Sequence, residues 1–567
     1  MHIVLGILQL AGALGVFLLG MKIMSEGLQK VAGSRLKSLL GRITGNRFKG
    51  VLTGIGITLV VQSSTATTVM VVGFVSAGLL TLVQSIGVIM GANIGTTMTA
   101  WMVSLLGFNL NITAFALPAV GIGLPMTFLH GARNRQLGEV LIGFGLLFLG
   151  LALIKDAVPE IDDPEHVAFL ARLAGHGIFS TLIFVLAGTV LTILLQSSSA
   201  ATTLTLTLAA LGWIPYEMAL AMILGENIGT TVTANLAAIG GTNPAKRSAR
   251  THLLFNVVGV SWALILFYPV LVPLVDAIAP GNPYLDFSAI QDDPAALARA
   301  AGIITMHLAV FHTLFNVTNT LVMLPFVKQL ESIVTRWVPD EKNGHPRLRF
   351  LSSALIETPE LLVVQASREM QHMVEVVREM FGNALYILLN PDKKLGRMVE
   401  DTLEKEELCD ELEREIVAHL TMTARAATSA KASRKIAELI QNTHRLERVA
   451  DHCAVLVRIA QRIHHAQQRF DDIDAGDLAT LGELVDQSLK NVGEYLVGRS
   501  DSESAEALEA RIDEARRIMR GRHIERMRES ADHVDTELAF LDAITHLEEI
   551  GDRTVGIVRL AEKTRRM

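Results

Sequence analysis

The sequence predicts an all-α protein in two parts, a polytopic membrane domain followed by a soluble helical domain. Three observations predict it. The chain has 567 residues, 50% of them hydrophobic, and the apolar ones are unevenly placed. Up to about Val338 charges are sparse and apolar runs are long. From about Asp340 onward Glu, Lys, Arg and Asp abound, with Leu, Ile, Val and Ala at helical spacing, the mark of amphipathic helices. Finally, two polar blocks recur inside the apolar half, and a membrane segment that carries Gln, Asn, Ser and Thr must spend those groups on something.

Bulk properties exclude several function classes. The net charge is −7 and no basic, aromatic-interleaved patch appears, so nucleic acid is not a partner. Cys409 and Cys453 both fall in the soluble half. They suit a reducing compartment and form no zinc spacing or disulfide framework. No nucleophile–base pairing, phosphate-cradling Gly-x-x-x-x-Gly-Lys loop or catalytic metal triad is present, so the chain reads as no enzyme.

In order along the chain, the first apolar run, near 3–25, lacks a basic lead and a cleavage site, so it reads as a membrane helix rather than a removed signal. Further spans of roughly 20 residues are placed near 84–106, 113–130, 137–155, 217–239, 252–276 and 301–327, each long enough to cross a bilayer. Two other segments, about 51–80 and 178–211, are crowded with Gly and Thr and read as broken or re-entrant helices. Such backbone is tolerated at membrane depth only where it lines a cavity or is buried in protein.

Those two segments hold the recurring blocks. Gln62-Ser63-Ser64-Thr65 is followed by Gly91-Ala92-Asn93-Ile94-Gly95-Thr96-Thr97; Gln196-Ser197-Ser198-Ser199 is followed by Gly225-Glu226-Asn227-Ile228-Gly229-Thr230-Thr231. Gln62 to Asn93 and Gln196 to Asn227 are both 31 residues. Repeat one runs over about 5–130 and repeat two over about 137–275, with a final span at 301–327. A smaller echo pairs His252-Leu253-Leu254-Phe255-Asn256 with His312-Thr313-Leu314-Phe315-Asn316. Loop charge sets the orientation. The loop after the first span carries Lys30, Arg35, Lys37, Arg42, Arg47 and Lys49, whereas its equivalent carries Asp156, Glu160, Asp162, Asp163 and Glu165. Basic loops stay cytoplasmic, so the repeats are expected to be inverted, entering from opposite sides. Arg133, Arg135, Lys246, Arg247, Arg250, Lys328 and Arg336 agree with that orientation.

Opposed half-helices can aim two N-termini at one point, where their free N–H groups suit an oxyanion. Hydroxyls and amides supply donors to the anion and hard oxygen ligands to a small cation such as sodium. Glu226 is an ionisable group in an apolar segment and therefore a functional candidate; its counterpart is Ala92. The competing account is that Ser, Thr and Gly merely permit close helix packing. Gly95 and Gly229 fit either account, and His252, His307 and His312 read as structural hydrogen bonders.

These four ordered motifs resemble the type II sodium/phosphate cotransporter family over roughly residues 1–330. The resemblance implies that sodium drives inorganic phosphate through a site where the Gln-Ser-Ser regions meet. It implies a site of Gln62, Ser63, Ser64, Thr65, Gln196, Ser197, Ser198 and Ser199, lined or supported by Asn93, Thr96, Thr97, Asn227, Thr230 and Thr231, with Glu226 added from its own chemistry. The domain reading is 1–338 membrane transport, 339–349 linker and 350–567 soluble.

The soluble half divides into helices near 361–389, 402–424, 431–466, 478–497, 504–529 and 534–565, two sets of three. Glu447 and Asp451, and Glu548 and Asp552, sit four apart in the third helix of each set, which puts each pair on one face. The recurrence resembles the PhoU family, a pair of three-helix bundles that regulates phosphate handling. The resemblance implies that Glu447, Asp451, Glu548 and Asp552 bind a divalent or transition metal. Ala450 stands where that family usually has Gly, and no large acidic cluster is visible around Glu447, so the second motif is expected to be the better site. The full reading is a multi-pass inner (plasma) membrane protein that symports sodium and phosphate in a lipid bilayer, with a cytoplasmic PhoU-like domain regulating it. The alternatives are a membrane-anchored phosphate or metal sensor and a cotransporter of another oxyanion. A homo-oligomer stays open.

Overall fold

The computed structural model describes all residues except 1, 33–46, 110–111, 130, 159–175, 240, 286, 291–292, 340–349, 351–358, 391–394, 427–429, 530–533 and 567. Much of the two contrasted loops, including Arg35, Lys37, Arg42, Glu160, Asp162, Asp163 and Glu165, lies outside the described residues. So does nearly all of the 339–349 linker. The described residues are helical with no strand, and the chain divides into two compact units, Met1–Asp340 and Glu341–Met567.

The first unit begins with α1 (His2–Ala32) and continues with α2 (Arg47–Val61), α3 (Ser64–Ser76) and α4 (Leu82–Trp101). α5 (Ala116–Phe128) and α6 (Ala132–Ala157) follow. A second set then matches the first: α7 (Ile178–Leu195), α8 (Ser198–Ala210) and α9 (Tyr216–Ala237). α3 and α8 are both 13 residues long. α10 (Asn243–Ile265), α11 (Val272–Ile278), α12 (Pro294–Met323) and α13 (Val327–Trp337) complete the unit.

Among the described residues, five helical stretches are long and apolar enough to cross a membrane, or six if the bent pair from Asn243 to Ile278, kinked by 71°, counts as one span. Two expected spans differ. The one at 113–130 is α5, only 13 residues, about 20 Å at 1.5 Å per residue. The one at 217–239 is α9, whose residues from Met218 to Asn227 are all buried. Its apolar sequence serves a protein interior rather than lipid.

Small residues decide the packing. A Cβ added at Gly54 would strike the carbonyl of Val88, and one at Gly91 the carbonyl of Val51. In the matching set, Gly188 lies against Met222 and Gly225 against Val185 in the same way. So α2 meets α4, and α7 meets α9, backbone on backbone, as small residues permit in membrane helices. Gly95 rests on Thr58 and Gly229 on Thr192, so the packing account of these two glycines holds.

The second unit is α14 (Pro359–Leu389), α15 (Gly396–Ala426), α16 (Ala430–His465), α17 (Asp472–Leu496), α18 (Ser502–Glu529) and α19 (Val534–Arg566). The first three pack mutually, as do the last three, and the bundles join through α16 against α19 and α14 against α17. One continuous core runs through both, with Phe381, Leu446, Val449, Phe540, Leu547 and Ile550 fully buried. Cys409 and Cys453 are free thiols inside that core. Burial pushes the Cys409 thiol up to about 12, the setting of a structural core cysteine.

Candidate functional site

Each polar block forms the same local device. α2 ends at Gln62 and α7 at Gln196, both in the left-handed region with φ of 53° and 51°. That backbone suits glycine; for other residues it costs about 1–2 kcal/mol. The next residue turns extended and caps the following helix. Ser63 Oγ accepts from Ala66 N at 3.1 Å, and Ser197 Oγ from Ala200 N at 3.2 Å. A capping serine stabilises its helix by about 1 kcal/mol. Ser64 and Ser198 thereby become the first helical residues of α3 and α8.

The two N-termini meet. Ser64 Oγ lies 3.5 Å from Ser198 Oγ, and Thr99 Oγ1 lies 3.4 Å from Ser199 Oγ. A pocket opens there, lined by Ser64, Asn93, Thr96, Ser198, Thr202, Glu226, Asn227, Thr230 and His312. Six of these are three equivalent pairs: Ser64 with Ser198, Asn93 with Asn227, Thr96 with Thr230. The free space is about 10 Å³, near what one water molecule needs.

The equivalence breaks at Glu226. This side chain is buried, 2% exposed. Thr202 donates to its Oε2 at 2.5 Å and Thr205 to its Oε1 at 2.6 Å. In the other half Ala92 replaces the glutamate, Val71 replaces Thr205, and the hydroxyl of Thr68, counterpart of Thr202, is buried without a partner. The asparagines also differ. Asn93 donates to Asn256 Oδ1 at 2.8 Å, and its own Oδ1 meets His252 Nε2 at 3.1 Å. Asn227 donates to the carbonyl of Ile223 on its own helix at 2.8 Å.

The expected residues therefore divide. Ser64, Ser198, Asn93, Asn227, Thr96, Thr230 and Glu226 come together at the pocket. Gln62, Gln196, Ser63, Ser197, Thr65, Ser199, Thr97 and Thr231 do not line it. Gln62 bonds the carbonyl of Leu59 at 2.6 Å and Gln196 is exposed. Thr97 and Thr231 bond the carbonyls of Ile94 and Ile228. Three partners escaped the sequence reading: Thr202, Thr205 and a pocket role for His312. The His-x-x-x-Asn echo was the available signal. Its first copy braces Asn93, and its second puts His312 in the pocket.

In the second unit each carboxylate pair gains a third member from a neighbouring helix. Asp410 of α15 joins Glu447 and Asp451, and Asp513 of α18 joins Glu548 and Asp552, with ligand oxygens within 4.8 Å of one another. Each cluster also meets an arginine: Arg516 Nη1 bonds Glu548 Oε1 at 2.7 Å, and Arg448 lies 3.3 Å from Asp451 and 3.7 Å from Glu447. Around Glu447 stand Asp451, Glu413 and Asp410; burial first, then Asp451, pushes its carboxyl up to about 7. Asp410 and Glu406 are raised as well, by burial and then by Asp451 and Asp410 among their acidic neighbours. So an acidic cluster does surround Glu447, supplied by α15. A third group, Asp474, His523 and Glu537, already holds Arg526 against Asp474, so its charge is met internally.

Fold and site define a helical membrane protein with a polar pocket between two broken helices, joined to a helical soluble unit. The chain belongs to the Na+/Pi-cotransporter family, which it matches over residues 16–156 and 168–271. Residues 370–462 match the PhoU domain. The chain is 30% identical to the uncharacterized protein YqeW of Bacillus subtilis (strain 168) over 325 residues, 57% of this chain and 95% of that one. It is 29% identical over 499 residues to YjbB of Escherichia coli (strain K12), named a putative inorganic phosphate export protein, covering 86% of this chain and 84% of that one. A stretch of 99 residues, 17% of this chain and 14% of the other, is 38% identical to human sodium-dependent phosphate transport protein 2B. Among solved structures, PhoU from Pseudomonas aeruginosa aligns with 37% of this chain and 99% of its own at 18% identity and TM-score 0.34.

Proposed function

We propose that the protein moves inorganic phosphate across the inner membrane coupled to sodium, and that its cytoplasmic soluble unit regulates the movement. The observation that carries this reading is the pocket's construction from paired residues, with two helix N-termini and one buried carboxylate. Family membership and the relatives' names supply phosphate and sodium.

The chemistry follows from charge. N-terminal N–H groups with the Ser64 and Ser198 hydroxyls form a neutral cradle for a tetrahedral oxyanion. Glu226 lies in the same pocket, and among the described residues no Lys or Arg lines it. A buried carboxylate without a counter-ion is costly and repels an incoming anion. Sodium beside Glu226, helped by the oxygens of Thr202, Thr205 and Thr230, removes both penalties. Cation loading thus favours anion loading, which is the coupling a symporter needs. The pocket must widen to admit phosphate, and the inverted arrangement expected from loop charge gives it two sides from which to open.

Regulation has a physical attachment point. α13 ends where the chain leaves the first unit. Arg247 Nε donates to Val338 O at 2.9 Å and Asn243 Nδ2 to Pro339 O at 3.3 Å. Both donors lie on α10, whose cap, Thr242, meets Ser76 at the end of α3. The end of the membrane unit is therefore tied to a helix that carries half the site.

Purified protein in liposomes tests the reading. A sodium gradient should drive phosphate flux, and Ser64→Ala or Ser198→Ala should each cut it at least about tenfold, the loss of one or two charge-assisted hydrogen bonds. Phosphate binding without gradient-driven flux would replace the transporter by a sensor. Flux of another oxyanion in preference to phosphate would replace the substrate. Truncation at Pro339 that leaves flux and its phosphate response unchanged would remove the regulatory role.

A further inference from the structure

The seam between the two bundles of the soluble unit carries an imidazole pair that no carboxylate motif explains. His452 of α16 and His546 of α19 face each other with Nδ1 atoms 3.0 Å apart and ring centroids 5.2 Å apart. Both rings are part-buried. We propose that His452 and His546 form a transition-metal site that clamps the two bundles together.

The geometry is close to what a metal requires. Metal–imidazole bonds run about 2.0–2.1 Å, so nitrogens at this separation subtend about 94° at a shared ion. A tetrahedral zinc needs them about 3.4 Å apart, a few tenths more, which small ring rotations supply. One helical turn past His546, on the same face, stands Glu549; its charge acts on both imidazoles. Arg553 holds that carboxylate at 3.4 Å, a contact long enough to yield to an ion. A pair of imidazole nitrogens suits zinc, nickel or copper rather than magnesium or calcium.

This site is separate from the acidic faces. Asp451 precedes His452 but turns to Asp410 of α15, whereas His452 turns to α19. Glu548 likewise turns to Arg516 of α18 while His546 turns to α16. The acidic faces suit hard cations and lie within single bundles. The imidazole pair lies between bundles, so its ion would tie one to the other.

The full-length protein in detergent, stripped with chelator, is titrated with zinc and with cobalt as a spectroscopic stand-in. The proposal expects one site whose cobalt spectrum reports nitrogen ligands. That site should survive Glu447→Gln with Asp451→Asn and weaken at least about tenfold in His452→Ala or His546→Gln, since each removes one of two nitrogen ligands. If these histidine variants melt early even in chelator, the wild-type chain decides. Zinc should protect His452 and His546 from acylation, read by mass spectrometry of the digested protein. Equal acylation with and without zinc, or wild-type zinc affinity in both histidine variants, overturns the proposal.

Discussion

The two half-sites share serine, asparagine and threonine at the same spacing, yet they are built differently. In the first half Asn93 is braced from outside by His252 and Asn256, and no charge is present. In the second half Asn227 leans on its own helix, while Glu226 brings a carboxylate with two threonine donors. In the proposed reading the shared residues shape the cradle and the unshared ones set the charge it accepts. A symmetric pocket could hold an anion; on that reading, the second half makes it wait for a cation.

Substitution at the unshared carboxylate tests this most severely. Glu226→Gln keeps shape and much of the hydrogen bonding but removes the charge. Sodium-driven flux should fall by about a hundredfold or more, the scale of about 2.7 kcal/mol of lost electrostatic stabilisation. Phosphate binding in the absence of sodium should strengthen. Unchanged sodium dependence would mean that the two halves are equivalent after all.

Bracing comes next. Asn93→Ala strands His252 and Asn256 in the interior and should cost about 2–3 kcal/mol of stability, against about 1 kcal/mol for Asn227→Ala, whose partner is a helix carbonyl. Thermal melts of both variants in detergent measure the gap. Equal losses would erase it.

A smaller contrast separates the paired threonines. Thr68→Val removes a buried hydroxyl that has no partner and should be neutral or stabilising by up to about 1 kcal/mol. Thr202→Val unmakes a bond to Glu226 and should lower both stability and flux. Equal effects on melting temperature would contradict the difference in their surroundings.

The soluble repeats offer the mildest test. A carboxyl raised in the folded state stabilises fully below its unfolded value, and that contribution is lost as pH rises through the folded one. For Glu447 the loss spans from the ordinary carboxylate range up to about 7. In chelator, Glu447→Gln should raise the melting temperature by a few degrees at pH 8 and do nothing at pH 4. Glu548→Gln should not gain, because Arg516 loses its partner.

What the sequence disclosed follows from physical contrast. Gln, Asn and Glu in apolar surroundings stand out, so Asn93, Asn227 and Glu226 were legible. Thr202 and Thr205 were not, because threonine in a membrane helix commonly bonds its own backbone, as Thr203 and Thr207 do here. Asp410 and Asp513 were hidden for another reason: they arrive from a neighbouring helix, and local spacing is blind to such neighbours. Arg516 reaches Glu548 from a neighbouring helix in the same way. The αL backbone at Gln62 and Gln196 was also unreadable, since glutamine advertises no left-handed preference. The shortness of α5 was masked because apolar residues extend past the helix ends on both sides.

The glycines at the helix contacts have a mechanical consequence. Where Gly54 meets Val88 and Gly91 meets Val51, no side chain lies between the helices to absorb movement. α2 and α4 therefore behave as one stiff plate, and α7 and α9, joined through Gly188 and Gly225, as another. From Gly87 to Thr96 the plate reaches about 14 Å along α4. Along that length the helices stay in contact, and the backbone leaves the helical region at the two glutamine breaks, Gln62 and Gln196.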